Sequence, residues 1–379
     1  MNVALVHDYL VDAGGAERVL LILHEIFPNA PIYTSVYNPR SAPSAFSRLD
    51  VRTSFLQRVA ATRKNYKLFL PLFPLAFESF DLSAYDVVVS STTSFAKGVV
   101  TGADTTHFCY CNTPSRFAWR AHDYLRRERF PAPVRTAIWV MIHYLRLWDY
   151  AAAQRVDYFM AGSANAARRI RKHYGRAARV VAAPIDVRRF TLAADLDDYY
   201  LIVSRLMPYK RIDLAIEAFN HLRLPLWIAG DGPARATLER LAGPTIRFLG
   251  RVSDEEVPRL FARCQALIQA GEEDWGLTPL EANASGRPVV AFAGGGALET
   301  VIPGITGVLF EEPTWDSLAD VVRNLRPASF EAEHLRAHAE SFDVSEFKEQ
   351  VFSYICEHTP VAALGGARHV PSSRATCLQ

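Results

Sequence analysis

Gly271-Glu272-Glu273-Asp274-Trp275-Gly276-Leu277-Thr278-Pro279-Leu280-Glu281 lies between an apolar run, Ala266-Leu267-Ile268-Gln269-Ala270, and a short segment, Ala282-Asn283-Ala284-Ser285-Gly286. The run before it reads as a buried strand, and the segment after it as a helix with a glycine stop. Thr278 is expected at the N-cap, Pro279 at the first helical position and Glu281 as the returning carboxylate of a capping box. A helix N-terminus beside a glycine is also an anion site, because its first N–H groups lack intrahelical acceptors and the helix dipole favours negative charge. Glu273 and Glu281 stand eight residues apart, one on each side of the turn. Both can face one ligand that carries phosphate in its middle and hydroxyls at its ends. A nucleotide sugar has that form.

Ser204-Arg205-Leu206-Met207-Pro208-Tyr209-Lys210-Arg211 follows a second buried run, Tyr199-Tyr200-Leu201-Ile202-Val203, and precedes a helical pattern from Ile212 to Leu222. Two cations five apart across a proline-containing loop can converge on a diphosphate. Breaking a sugar–phosphate bond leaves a dianion, so fixed positive charge at that place lowers the barrier. By spacing, Lys210 rather than Arg211 partners Arg205. Near the start, Asn2-Val3-Ala4-Leu5-Val6 is a strand, and Gly14-Gly15-Ala16-Glu17-Arg18 opens the helix after it. Glycines there let a backbone approach a diphosphate, and a plain tight turn explains them as well. The pattern is not Gly-x-Gly-x-x-Gly and no acidic residue ends the second strand, which argues against a nicotinamide enzyme.

The 379 residues suit two domains, and half of them are hydrophobic, enough for large cores. Basic and acidic residues, 42 and 40, nearly balance, so the chain does not look like a nucleic-acid binder. Five cysteines point to a reducing compartment rather than a disulfide framework, and Cys109 and Cys111 read as one packed strand face. No export signal or membrane-spanning run is expected; the apolar stretch Thr136–Trp148 is interrupted by His143 and Arg146. The expected location is cytoplasmic. Arg58, Arg63, Lys64 and Lys67 before Phe69–Pro74, and Arg126–Phe130, combine basic and apolar character, which suits either contact with an anionic membrane or ordinary packing.

Strands alternate with helices nearly throughout, the pattern of an α/β protein with mostly parallel sheets. Strands are expected at Asn2–Val6, Pro31–Tyr37, Val51–Phe55, Tyr85–Ser91, His107–Cys111, Val156–Ala161 and Arg179–Ala183, and again at Tyr199–Val203, Leu226–Ala229, Ile246–Leu249, Ala266–Gln269 and Val289–Phe292. The domain limits are 1–187 and 188–342, with a terminal helix to about 358 and a loose tail over 360–379. Asp195-Leu196-Asp197 resembles an Asp-x-Asp metal motif but falls in the linker, so it reads as solvated surface and no essential metal is expected.

Glu273-Asp274-Trp275-Gly276-x4-Glu281 resembles the Glu-x7-Glu motif of the retaining, glycogen-synthase-like glycosyltransferases of family 4, whose GT-B fold sets two Rossmann-like domains face to face across a cleft. The resemblance covers about residues 1–358 and includes bacterial mannosyltransferase-like members that build surface polysaccharide. It implies that Arg205 and Lys210 neutralise the donor diphosphate, and that Gly276, Leu277 and Thr278 add backbone N–H groups. Glu281 then takes the ribose and Glu273 the sugar hydroxyls. It also implies that Gly14 and Gly15 face the diphosphate, Ser163 the cleft, and Val252 the nucleobase edge, and that the last helix crosses back to the first domain. Gly230-Asp231-Gly232-Pro233 matches a family turn of structural role. Asn112, in Cys111-Asn112-Thr113-Pro114-Ser115-Arg116, departs from the family, where a histidine borders the donor sugar. Asparagine can bond a hydroxyl but cannot titrate near neutrality. The implied reaction moves a hexose, with mannose from GDP-mannose the first choice, to a lipid-linked saccharide, and needs no cofactor. A UDP-sugar transferase, a nucleotide-sugar epimerase and a non-catalytic donor-binding subunit are the alternatives.

Overall fold

The computed structural model describes residues 1–12, 14–59, 66–122, 131–193 and 195–360. Arg63, Lys64, the Arg126–Phe130 cluster and the tail from 361 lie outside the described residues.

The chain forms two compact units, residues 1–160 with 350 onward, and residues 161–349. The first is built on a seven-stranded sheet: β1 (Val3–His7), β2 (Ile32–Thr34), β3 (Val51–Thr53), β4 (Val87–Thr92), β5 (Thr106–Cys111), β6 (Tyr158–Ala161) and β7 (Ala178–Val180), in the order β3-β2-β1-β4-β5-β6-β7. The central strand pairs are parallel, with Leu5 opposite both Ile32 and Val89. The second sheet holds β8 (Tyr200–Val203), β9 (Leu226–Ala229), β10 (Ile246–Gly250), β11 (Leu267–Gln269), β12 (Val289–Phe292) and β13 (Gly307–Phe310), in the order β10-β9-β8-β11-β12-β13. Strand β13 has no counterpart in the sequence reading, since Gly307-Val308-Leu309-Phe310 is too short a run to stand out from its loop. Both orders reverse direction once, at β1/β4 and at β8/β11. In doubly wound sheets ligands bind beyond the strand carboxyl ends at that reversal.

Alternation along each inner strand sends neighbours to opposite faces, so both faces must be covered. Ile202, Ile268 and Val290 join one core with Phe219 and Leu318. Leu201, Leu267 and Val289 join the other with Leu280 and Ala282. The helix Leu277–Ala284 therefore lies on the Leu267 face, the same face as Gln269, two residues on. In the first unit Val6, Val88, Phe73, Phe77 and Phe95 form a third cluster.

The compact units divide at 160/161, ahead of the 187/188 limit expected from the sequence. By sheet membership β7 belongs with the first half. By contacts, the helix Ala164–Tyr174 belongs with the second, because its first turn and Arg169 are hydrogen-bonded to residues near 274 and 299. The last helix, Val344–His358, begins in the second unit, and from residue 350 it counts with the first. There Phe352 stands 6.5 Å from Phe27, and His358 4.4 Å from Tyr158, ring centre to ring centre.

No helix among the described residues is long and apolar enough to cross a membrane. Cys109 and Cys111 are fully buried on β5. Burial pushes the neighbouring His107 imidazole down to about 3, so it stays neutral inside the sheet.

Candidate donor site

In the second unit the carboxyl ends of β8 and β11 deliver the two stretches that the sequence singled out. After β8 the chain turns through Pro208–Lys210, and after β11 it enters Gly271–Gly276. The two loops touch. A Cβ on Gly271 would stand 2.6 Å from the carbonyl of Lys210 and 2.7 Å from that of Tyr209, so only glycine admits this approach. Lys210 Nζ forms an ion pair with Glu273 Oε1, both side chains being largely buried. Arg211 instead pairs with Asp213 at 3.2 Å, on the helix that follows. Arg205 is exposed, with no ion-pair partner among the described residues.

The helix after the acidic loop starts earlier than its sequence suggests. It runs from Leu277 to Ala284 with Gly276 at the cap, at φ +88°, and no side chain caps it. Thr278 is therefore not the N-cap, Pro279 is not the first helical residue, and Glu281 does not close a capping box. The correction has a local cause: Gly276 takes a backbone conformation that side-chain-bearing residues rarely adopt, and this begins the helix two residues sooner. The first N–H groups of the helix, at Leu277 and Thr278, are left without a side-chain acceptor. Glu281 is buried within the helix.

The acidic loop is held from several sides. Arg169 pairs with Asp274, and with Glu272 at 3.3 Å. Ser163 caps the Ala164–Tyr174 helix by accepting from Ala166 N at 2.9 Å, and its hydroxyl donates to Asp274 O at 3.2 Å. The Glu299 carboxylate accepts from Ala164 N and Asn165 N at 2.6 and 2.8 Å. Trp275 Nε1 donates to Ala183 O at 3.1 Å. Arg169 and Glu299 were not legible in the sequence: each meets its partner more than a hundred residues away, and no local pattern marks either. Arg169 and Lys210 together offset three successive carboxylates, Glu272, Glu273 and Asp274.

The triple glycine at 294–296 closes the same loop from above. Gly295 bridges to Glu273, Gly296 N donates to Glu273 O at 2.8 Å, and Gly295 sits at φ +60° with its Cβ position against the Glu273 carbonyl. Gly295→Ala is expected to cost about 2–4 kcal/mol, from left-handed strain and the clash together. Gly304→Ala, at φ +78° with open space around it, isolates the strain alone and should cost about 1 kcal/mol. Denaturant unfolding of both variants checks this; equal losses would remove the clash from the account.

Other expected positions fall as follows. Val252 is half-buried just beyond β10 and packs in the Leu267-face core. The Gly230–Pro233 turn is tied to the cation loop, with Leu206 N donating to Asp231 O at 3.0 Å. Asp197 pairs with Arg263 at 2.7 Å on the surface, and no group of three or more candidate metal ligands occurs among the described residues.

In the first unit, Gly14 is the N-cap of the helix Gly15–Ile26, with no side-chain cap. Buried Glu17 on that helix lies 3.9 Å from His7 Nε2. Asp8, at the β1/β4 reversal, has its carboxylate filled by Phe95 N and Ala96 N, each at 2.7 Å, and by the Thr92 and Thr93 hydroxyls. Asn112 follows β5, and its N–H donates to Thr92 O at 2.9 Å. At the first reversal the backbone N–H donors after β4 are thus taken by a carboxylate of the chain itself, while the helix after β1 has no side-chain cap. At the second, the helix start is uncapped and a lysine stands beside it.

Residues 186–340, which include Arg205, Lys210, Glu273 and Glu281, match the family model of glycosyl transferases, group 1. The chain is similar to a D-inositol 3-phosphate glycosyltransferase of Geodermatophilus obscurus, 30% identical over 256 residues, 57% of this chain and 56% of the relative. It is also similar to a GDP-mannose-dependent alpha-(1-6)-phosphatidylinositol monomannoside mannosyltransferase of Mycolicibacterium smegmatis, 35% identical over 141 residues, 32% of this chain and 37% of the relative. The chain thus spans about half of the first relative and about a third of the second. Among solved structures it resembles Anabaena Alr3699/HepE in complex with UDP-glucose, with a TM-score of 0.69 at 18% identity, covering 94% of this chain and 100% of the other. Sucrose-phosphate synthase from Thermosynechococcus elongatus gives a TM-score of 0.74 at 16% identity, covering 94% and 99%. These likenesses establish the fold. Residues 186–340 thus carry the group 1 glycosyl transferase match, and the two Rossmann-like units share the GT-B fold of these solved structures.

Proposed function

We propose that the protein is a retaining hexosyltransferase that takes mannose from GDP-mannose and delivers it to a lipid-linked saccharide. The observation that carries this reading is the meeting, at the β8/β11 reversal, of Lys210, Glu273 and an uncapped helix start. In this reading Lys210 and Arg205 neutralise the diphosphate, while the N–H groups of Gly276, Leu277 and Thr278 bond its oxygens. Glu273 takes the hexose hydroxyls and Glu281 the ribose. Gly14, Gly15, Asn112, Ser163 and Val252 complete the donor contacts. The choice of GDP-mannose draws support from the mannosyltransferases among the relatives.

In the reaction the bond from the anomeric carbon to the diphosphate oxygen breaks, and the acceptor hydroxyl oxygen attacks from the same face. Its proton passes to the departing phosphate, so no side chain needs to act as nucleophile or titrate. The two carboxylates bind, the cations take up the developing charge, and no metal is required.

Purified protein should gain stability with GDP and GDP-mannose, on the order of 2–3 kcal/mol at a hundredfold excess over Kd. It should transfer mannose to a polyprenyl-diphosphate saccharide with the α configuration kept, in the presence of EDTA. No shift in melting temperature with either GDP or UDP removes the donor assignment. An isomerised nucleotide sugar formed without acceptor selects an epimerase instead. Donor binding with no transfer to any polyprenyl acceptor leaves a binding subunit.

A further inference from the structure

We infer that Gln269 reads a pair of hydroxyls on the hexose of the donor. The inference rests on the donor site proposed above and extends it to a residue that no motif marks. Gln269 is the last residue of β11, and it is 7% exposed. Neither its Nε2 nor its Oε1 has a hydrogen-bond partner among the described residues. A buried primary amide without partners costs stability, so a site that keeps one has another use for it. The amide lies beneath the start of the Leu277–Ala284 helix: a Cβ on Gly276 would stand 3.0 Å from Gln269 Oε1 and 3.6 Å from Nε2. Gln269 also lines a cavity of about 20 Å³ together with Ser204, Lys210, Gly271, Glu273 and Thr278. Glu281 does not line it. The cavity therefore belongs to the end of the site where Lys210 and Glu273 stand, not to the ribose end.

The chemistry of the amide selects its ligand. It presents a donor and an acceptor side by side. A phosphate offers acceptors only and would leave Oε1 unpaired. Two neighbouring hydroxyls satisfy both atoms, one accepting from Nε2 and the other donating to Oε1. The cavity holds little more than a water molecule while Lys210 and Glu273 are paired with each other. A donor that draws Lys210 onto its diphosphate and Glu273 onto its hexose parts that pair and brings sugar hydroxyls to the amide.

The test compares affinities for GDP and GDP-mannose, with UDP and UDP-glucose alongside, in the full chain and in Gln269→Leu and Gln269→Glu. Gln269→Leu should bind the nucleotide sugar about 10–100-fold more weakly, the worth of one or two buried neutral hydrogen bonds, with affinity for the nucleoside diphosphate unchanged. Its melting temperature without ligand should rise, because an unpaired amide has been replaced by an apolar group of similar volume. Gln269→Glu keeps an acceptor and loses the donor, and should also lose nucleotide-sugar affinity selectively. Equal weakening of diphosphate and nucleotide sugar would assign Gln269 to the ribose or phosphates and overturn the inference. Unchanged affinities, or a lower melting temperature with no selective loss, would make it structural and also overturn it. Failure of the unaltered protein to bind any of the four ligands would remove the donor site itself, a different result from a silent Gln269.

Discussion

Lys210→Ala is expected to slow hexose transfer about 10²–10³-fold, the usual loss when one preorganised positive group is removed from developing negative charge. The same change should lower stability by only about 1 kcal/mol, since the Lys210–Glu273 pair keeps some contact with solvent. The distinction matters because the two roles of Lys210 separate cleanly. In the free protein it neutralises Glu273. In the proposed reaction it neutralises the leaving diphosphate. Steady-state kinetics on Lys210→Ala, Glu273→Ala and the double variant resolves them. If the lysine served only to position Glu273, removing both would cost no more than removing Glu273 alone. Full activity in Lys210→Ala would end the charge-neutralising role.

Lys97→Met is expected to destabilise the first unit by about 3–5 kcal/mol, the penalty for stranding a buried charge. Lys97 and Asp149 are almost wholly inaccessible, at 1% and 3% side-chain exposure, and form a direct ion pair. Lys97 Nζ also donates to Ser94 O, and Asp149 accepts from Ser115 Oγ at 3.0 Å and from Trp119 Nε1 at 2.7 Å. The network thus ties three separated pieces of chain around the segment that follows Asn112. Removing the ammonium takes away the charge paired with this buried carboxylate, while the neutral donors Ser115 Oγ and Trp119 Nε1 stay. Lys97→Met with Asp149→Leu should recover most of the loss. Burial, the largest single influence, pushes the Lys97 ammonium down, but the Asp149 charge and hydrogen bond together with Cys111 and Cys109 outweigh it, and the net value lies above the ordinary 10.5. A raised lysine contributes stability that is complete below its unfolded value and fades only as pH climbs through the folded one. The cost of Lys97→Met should therefore stay flat between about pH 6 and 9. Denaturant unfolding at several pH values checks both points; a loss under about 1 kcal/mol would mean that the pair is not a closed ionic contact in solution.

Much of the architecture could be read before any coordinates. Apolar runs of four to six residues, each followed by a helical period, specify parallel strands buried on both faces, and the two sheets follow that plan. Strand β13 escaped because its run is short and opens with glycine. The helix start at Gly276 escaped because side-chain propensity favoured Thr278 as the cap, whereas a backbone turn at positive φ had already begun the helix. Spacing chose Lys210 over Arg211 as the partner of Arg205; in the structure Lys210 pairs with Glu273 and Arg211 with Asp213.

By itself the sequence determined the alternation of strands and helices, the two-unit plan and the stretches that carry charge to the carboxyl ends of β8 and β11. Those properties are local: they follow from periodicity, glycine placement and residue type within about a dozen positions. Only the tertiary structure decided that Arg169 holds the acidic loop, that Glu299 caps the neighbouring helix, that Gly295 must lack a side chain, and that the amide of Gln269 lies beneath Gly276 with no hydrogen-bond partner among the described residues. Each of these depends on a contact between segments distant in the chain, or on a backbone turn set by packing. Whether a polar group finds a partner is settled by what the fold brings beside it, and one-dimensional spacing carries no record of that.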